Sequence, residues 1–283
     1  MTAPHLQRTG VSLRVVLAWL VHFYTATGLI AAAAIAVLLS GPATSPAEFR
    51  WAFVLMFTAT LIDATDGTLA RMVGVKEVTP HFDGRRLDDL TDFLTYTFLP
   101  LFLICRAELL PPGQSAWLLA PLLASAYGFC QVSAKTPDGY FLGFPSYWNI
   151  VAFYLYLLHL PGWLNLAIVL FFAAMTFLPC RYPYPTHRGH LNRITLYLSV
   201  IWAVLLVWIL AKFPDQTLSA ETSPDHSVRL SVLLSLSLPA YYLLQSWALS
   251  YHIWQRARRE RIAAITDAEE KTRTSTPITG TRS

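Results

Sequence analysis

The chain carries apolar stretches about as long as a bilayer is thick, one after another, from near its start to beyond residue 250. A helix needs about 20 consecutive apolar residues to cross the hydrocarbon core. Eight such stretches run at roughly 13–39, 49–70, 90–109, 115–133, 146–160, 162–180, 193–212 and 229–253. The implied fold class is all-α: a polytopic transmembrane helix bundle of about eight spans. Composition agrees, because the 283 residues are 54% hydrophobic and only 13% charged, against about 25% charged in soluble domains. The fifth and sixth stretches are parted only by a turn at Pro161 and Gly162, so they make a tight hairpin or a partly re-entrant pair. The first stretch is too long for a secretory signal and has no convincing cleavage site, so it reads as a retained helix. Residues 1–254 are then a transmembrane domain that must carry the chemistry, and 255–283 a basic, disordered tail.

Positive residues set the orientation. With both termini on one side, seventeen of the 21 Lys and Arg fall on that side, leaving Arg50, Arg106, Lys212 and Arg229 on the other. Such a bias marks the cytoplasmic face, so both termini are expected there. The net charge of +4 fits this bias and anionic headgroups rather than nucleic acid. Arg256, Arg258, Arg259 and Arg261 suit an interfacial anchor. Cys105, Cys130 and Cys180 lie in separate spans without ligand spacing and read as small buried apolar residues.

The second span ends in a feature that lipid-facing helices avoid. Asp63, Asp66, Gly67 and Ala70 stand at i, i+3, i+4 and i+7, one broad helical face with two acids and two side chains of minimal bulk. A charged residue near the bilayer centre costs about 2.5–3.5 kcal/mol on insertion scales, so something cationic must face this pair. The third span opens with Gly84, Asp88 and Asp92 at successive i+4 steps, and Asp89 points about a quarter-turn away. The two spans are expected to be antiparallel neighbours whose acidic faces meet at the cytoplasmic boundary.

Four converging carboxylates need cations, and oxygen-only donors suit hard divalent ions, Mn2+ or Mg2+, better than zinc or copper. Two such ions bridged by carboxylates suit phosphoryl chemistry, with the active site on the cytoplasmic side. Gly67 and Ala70 would let a flat nucleotide approach the backbone. A structural ion network with Arg71, Arg85 and Arg86 accounts for one or two acids, but not for the two small residues beside them. An ion path is the other alternative, though the acids are confined to one boundary.

These residues resemble the CDP-alcohol phosphatidyltransferase family, whose signature is D-x2-D-G-x2-A-R, a spacer, then G-x3-D-x3-D. Asp63, Asp66, Gly67, Ala70, Arg71, Gly84, Asp88 and Asp92 supply every fixed position. The spacer, Met72 to Asp83, is longer than usual in the family, and with eight spans it looks like the bacterial phosphatidylcholine synthase branch. The segments Lys135–Asn149 and Ala18–His22 look like that branch too. The resemblance implies a CDP-alcohol phosphotransferase-like bundle, as a homodimer, with CDP-diacylglycerol, choline and bilayer lipids as partners. By the same resemblance Asp63, Asp66, Asp88 and Asp92 are metal ligands and Asp92 is also the catalytic base. Asp63, Gly67, Ala70, Arg71 and Gly84 would bind the nucleotide.

Choline is a permanent cation without a donor on nitrogen, and aromatic faces hold such groups at about 0.5–2 kcal/mol per ring. Tyr140, Phe141, Phe144, Tyr147 and Trp148 cluster between the fourth and fifth spans and form the candidate cage, with Asp138 as its electrostatic partner. Interfacial belting of Tyr and Trp is the competing explanation. Trp19, His22 and Tyr24 would face the same cavity from the first span. Arg181, Arg188 and Lys135 are candidates for the lipid phosphates, beside His187 and His190 in a basic loop. The expected reaction joins CDP-diacylglycerol and free choline into phosphatidylcholine and CMP. Its alternatives are the same transfer to serine, inositol or glycerol phosphate, or, in another class, divalent-cation transport.

Overall fold

The apolar runs fold as helices, and the polar residues between them set where each helix starts and stops. The computed structural model describes residues 12–134, 136, 139–183, 190–212 and 226–275. Lys135, Asp138, His187 and Arg188, expected at the site, lie outside the described residues.

Helix α1 (Leu13–Leu39) and helix α2 (Pro46–Val73) are each about 40 Å long at 1.5 Å per residue. They form the most extensive helix pair of the bundle. Ser45 starts α2 with a capping box: its hydroxyl accepts from the Glu48 amide at 3.3 Å, and the Glu48 carboxylate accepts from the Ser45 amide at 2.6 Å. Gly74, left-handed at φ 70°, ends it. After the single turn α3 (Val75–Val78), Asp83 caps α4 (Gly84–Asp92) by accepting from the Arg86 amide at 3.3 Å. Gly84 thus belongs to the helix.

The α4 chain continues through a π-helical segment, Phe93–Phe98, into α5 (Leu99–Arg106). Pro100 explains the change of pitch: it has no N–H for the Tyr96 carbonyl and its ring crowds that turn. The Leu99 amide reaches back five residues to the Leu94 carbonyl.

A 3-10 turn at Ser115–Leu118 leads into α6 (Leu119–Cys130), and α7 (Trp148–Leu158) and α8 (Gly162–Met175) follow. The latter two, expected as a tight hairpin or a partly re-entrant pair, pack chiefly on other helices, α7 on α5 and α8 on α6. At about 16 and 21 Å they are shorter than the ~30 Å hydrocarbon core, so neither spans it alone. Two strands that the all-helical expectation lacked, β1 (Tyr140–Leu142) and β2 (Arg181–Pro183), pair antiparallel and tie the loop before α7 to the loop after α8.

Helices α9 (His190–Lys212), α10 (His226–Ser235) and α11 (Ser237–Ser275) complete the described chain. The sequence reading placed a disordered tail from 255, yet α11 runs on to Ser275. Arg, Ala, Glu and Lys, all good helix formers, fill that stretch, and Asp267 stands four residues before Lys271.

The buried core joins Phe53 and Met56 of α2 and Leu103 and Ile104 of α5 to Trp148 and Phe153 of α7, Val169 of α8 and Ile209 of α9. Leu20, Phe23, Val37, Trp163 and Val204 point outward and are exposed, the inside-out pattern of a lipid-facing surface. Among the described residues Leu13–Leu39, Pro46–Val73 and Leu230–Ala268 are long and apolar enough to cross a membrane. With the shorter apolar helices they make a multi-pass helical membrane protein.

Candidate active site

Three of the four signature aspartates converge. Asp63 of α2 and Asp88 and Asp92 of α4 each offer a carboxylate oxygen, and these oxygens lie within 4.8 Å of one another. The acidic faces of the second and third spans meet as expected, although the backbone contact is not made along α4. Both helices lean on α1, and contact with α2 from that side comes through the π segment. The aspartate side chains therefore reach toward each other across an opening.

That opening is one end of a cavity of about 450 Å3, lined there by Asp63, Gly67, Thr68, Arg71, Arg85, Asp88, Asp89 and Asp92. Each α-helical residue advances about 100°, so the signature face of α2 splits. Asp63, Gly67 and Arg71 turn to the cavity. Asp66 is 6% exposed and accepts a hydrogen bond from the Thr25 hydroxyl of α1 at 2.8 Å, while Ala70 packs beside Ala18, Val21 and Val75. Asp66 and Ala70, expected on the cavity with Asp63 and Gly67, occupy the edge of the face that meets α1.

Gly84 also lies away from the cavity. A Cβ there would stand 2.6 Å from Cε1 and 2.9 Å from Nδ1 of His22, so the glycine is what lets α4 approach α1. His22 is buried, with Nε2 3.0 Å from the Thr79 hydroxyl, and Phe82 packs on its ring. Trp19 contacts His22, His81 and Phe82, and the Tyr24 hydroxyl meets Thr65 at 2.8 Å. This group was expected to face the acceptor; it instead packs on the long spacer and on α2. The spacer, the chain's departure from its family's pattern, is held by α1.

The cationic residues weighed as structural partners are accounted for only in part. Arg86 pairs with Asp83 at 3.1 Å, largely in the open, and Arg71 donates to Thr68 at 3.0 Å. Three carboxylates this close, with hard oxygen donors only, fit a divalent cation of the magnesium or manganese kind.

The same cavity is also lined by Phe141, Leu142, Gly143, Phe144, Pro145, Ser146, Tyr147 and Asn149, so the aromatic loop does border the space the aspartates open into. Trp148 does not. It is fully buried, and its indole N–H donates to the Ser125 hydroxyl at 2.7 Å. Its neighbour Tyr147 takes the cavity side because α7 begins between them. Tyr140 is off the cavity too, beneath the guanidinium of Arg181 at 5.8 Å. Arg181 is fastened through its amide to the Ser250 hydroxyl of α11 at 2.7 Å and does not line the cavity.

The sequence reading passed over Tyr96. Its hydroxyl donates to Oδ2 of Asp63 at 2.7 Å, and its ring lines the cavity. Tyr96 is the next i+4 step after Gly84, Asp88 and Asp92, and that spacing was the available signal. Thr25 was also missed, although a threonine three residues after His22 in an apolar run marks a face with polar business. Beyond the loop the cavity turns apolar, between Phe53, Met56 and Phe57 of α2, Phe153 of α7, and Trp202, Leu206 and Leu210 of α9.

Comparison with known proteins matches this geometry. Residues 18–179 match the model of the CDP-alcohol phosphatidyltransferase family. The chain is 35% identical over 213 residues to a phosphatidylcholine synthase of Legionella bozemanae, covering 72% of this chain and 93% of that one. It is 34% identical over 249 residues to the phosphatidylcholine synthase of Legionella pneumophila, 85% of this chain and 91% of the relative. With that of Pseudomonas aeruginosa it shares 36% over 242 residues, 85% and 92%. Cation transport is thereby set aside. With the signature aspartates gathered at one cavity and the match running through them, the chain belongs to the CDP-alcohol phosphatidyltransferase family.

Proposed function

We propose that the chain transfers the phosphatidyl group of CDP-diacylglycerol to free choline, giving phosphatidylcholine and CMP. The observation that carries this reading is one cavity lined both by the carboxylates and by aromatic rings. Carboxylates serve a pyrophosphate through divalent ions, and rings serve a quaternary ammonium. The names of the relatives agree.

Asp63, Asp88 and Asp92 would hold the metal, Mn2+ or Mg2+ and in the family's manner two ions, with Asp66 completing the set by a rotation away from Thr25. Bound there, the metal neutralises the pyrophosphate and stabilises the leaving phosphate oxygen. Gly67 leaves room for the cytidine, with Arg71 beside the phosphates; Ala70 and Gly84 act by letting α1 approach. Asp92 takes the proton of the choline hydroxyl as its oxygen attacks the β-phosphorus. A new phosphorus–oxygen bond forms, the bond to the CMP oxygen breaks, and CMP departs with the electron pair. Tyr147, Phe144 and Phe141 hold the trimethylammonium end, and the apolar end of the cavity keeps water from the reacting phosphorus. Lys135 and Arg188, with Arg181, remain candidates for the lipid phosphates, and Asp138 for the ammonium. The positive-residue bias supports a cytoplasmic site and cytoplasmic termini. A bacterial inner membrane and the homodimer implied by the family are part of the same proposal.

The test is an acceptor screen on purified protein with CDP-diacylglycerol and Mn2+. CMP release is expected only with choline; release with serine, inositol or glycerol phosphate instead sinks the choline assignment. Asp92→Asn should stay folded and lose about 100- to 10,000-fold in turnover, the range of general-base catalysis.

A further inference from the structure

Tyr96 touches both halves of the site, and the family signature does not contain it. Its hydroxyl donates to Oδ2 of Asp63 at 2.7 Å, and Asp63 is one of the three clustered carboxylates, with Asp88 and Asp92. The residue is buried and belongs to the wall of the same cavity. Its ring centroid lies 6.4 Å from that of Tyr147, at an interplanar angle of 51°. Tyr147 is flanked by Phe144 at 6.4 Å, nearly perpendicular, and by Tyr242 of α11 at 6.2 Å. Two rings at this spacing and tilt make a corner rather than a sandwich. A compact cation seated in such a corner lies within about 6 Å of both centroids, the range in which ring faces attract it.

Chemistry links the two roles. A phenol that gives a hydrogen bond to a carboxylate gains electron density in its ring, which strengthens the attraction to a cation. The bond also fixes the rotamer of Asp63, as hydrogen-bond partners behind metal ligands do. We propose that Tyr96 is a positioning and specificity residue, whose hydroxyl orients Asp63 for the metal and whose ring is the second wall of the choline pocket. The hydroxyl half stands on geometry alone; the ring half rests on the choline reading above.

The experiment separates the halves. Mn2+ binding to purified protein without substrates is followed by the electron paramagnetic resonance signal of free Mn2+, and the Michaelis constants for choline and CDP-diacylglycerol are measured alongside. Tyr96→Phe should weaken Mn2+ binding about tenfold and leave the choline constant within about twofold, because the ring remains. Tyr96→Leu should weaken Mn2+ equally and also raise the choline constant about tenfold, with little change for the CDP-lipid. Unchanged Mn2+ affinity in Tyr96→Phe overturns the hydroxyl role, and an unchanged choline constant in Tyr96→Leu overturns the ring role. If Tyr96→Leu does not fold, a choline constant raised in Tyr96→Phe as much as Mn2+ affinity falls overturns the division of labour. Wild-type protein that binds Mn2+ but transfers nothing to choline defeats the acceptor reading instead, while the Mn2+ titration of Tyr96→Phe still decides the hydroxyl role.

Discussion

The two ends of the cavity are built on opposite plans. The acidic end comes from α2 and α4, close in sequence, braced by one face of α1 through His22 and Thr25. Its aromatic wall collects a loop before α7, a ring from the π segment, another from α11 beside that loop, and Trp202 of α9. Trp202 is itself tied by its indole N–H to the Tyr154 hydroxyl of α7 at 2.9 Å, and Tyr154 donates on to Ser235 at 3.0 Å. Charge demands fixed offsets, because ligand oxygens must meet within ångströms, and helical periodicity provides them. A quaternary ammonium asks only for ring faces at roughly the right distance, and those come from anywhere in the chain. Residue spacing is therefore a guide at the first end and a poor one at the second.

The sharpest break of this comparison is at Trp148, a member of the aromatic run that folding has removed from the cavity. Trp148→Ala should cost about 3–5 kcal/mol of stability, as for other large buried aromatics, and leave the Ser125 hydroxyl with the Ser146 hydroxyl as its remaining partner. The measurement is a thermal unfolding midpoint in detergent, with the choline Michaelis constant taken on the surviving folded fraction. A choline constant raised tenfold at an unchanged midpoint would return Trp148 to the pocket and undo the distinction drawn here.

Much of the fold was legible for the same reason as the acids. The apolar runs became helices, the first two within a few residues of their expected limits, because a helix that must satisfy its own backbone in lipid leaves little freedom. Where the reading went astray, a contact between distant residues decided. The signature face of α2 is divided because α1, not α4, lies along one edge of it. Lipid-like hydropathy could not reveal that α7 and α8 stop short of a full span, since apolar loop residues such as Phe177 and Leu178 extend the run beyond the helix. The strands β1 and β2 are three residues each, too short to leave a pattern. Tyr96 escaped although it continues the i+4 series of Gly84, Asp88 and Asp92, because a tyrosine inside an apolar run reads as core and only its contact with Asp63, 33 residues away, marks it out.

A smaller effect probes the brace behind the acidic end. Gly84→Ala should cost about 1–3 kcal/mol, the usual range for overpacking, because the new methyl meets an imidazole that Thr79 and Phe82 hold in place. Removing the obstacle should help: His22→Ala with Gly84→Ala should be more stable than the sum of the single losses predicts, a coupling readable in a double-mutant cycle. Gly28 offers the same test about two turns along α4, where a Cβ would meet Cγ2 of Thr91 at 2.6 Å. Additive losses would mean that α4 tilts away from α1 freely, and that the brace does not set the spacing of the carboxylates.

The smallest expected change is at Tyr147, and it bears most directly on the loosely specified wall. Loss of one ring from a cation site is worth about 0.5–2 kcal/mol, so Tyr147→Ala should raise the choline Michaelis constant about 2- to 30-fold, with that for CDP-diacylglycerol unmoved. Tyr140 is the matched control: same residue type, same loop, but turned under Arg181 and away from the cavity. Tyr140→Ala should leave both constants alone. If the two tyrosines behave alike, the loop acts through its general apolar character at the membrane interface. If only Tyr147 responds, recognition resides in which ring faces the space beside Asp63 and Tyr96, a property of the packed loop that residue spacing does not encode.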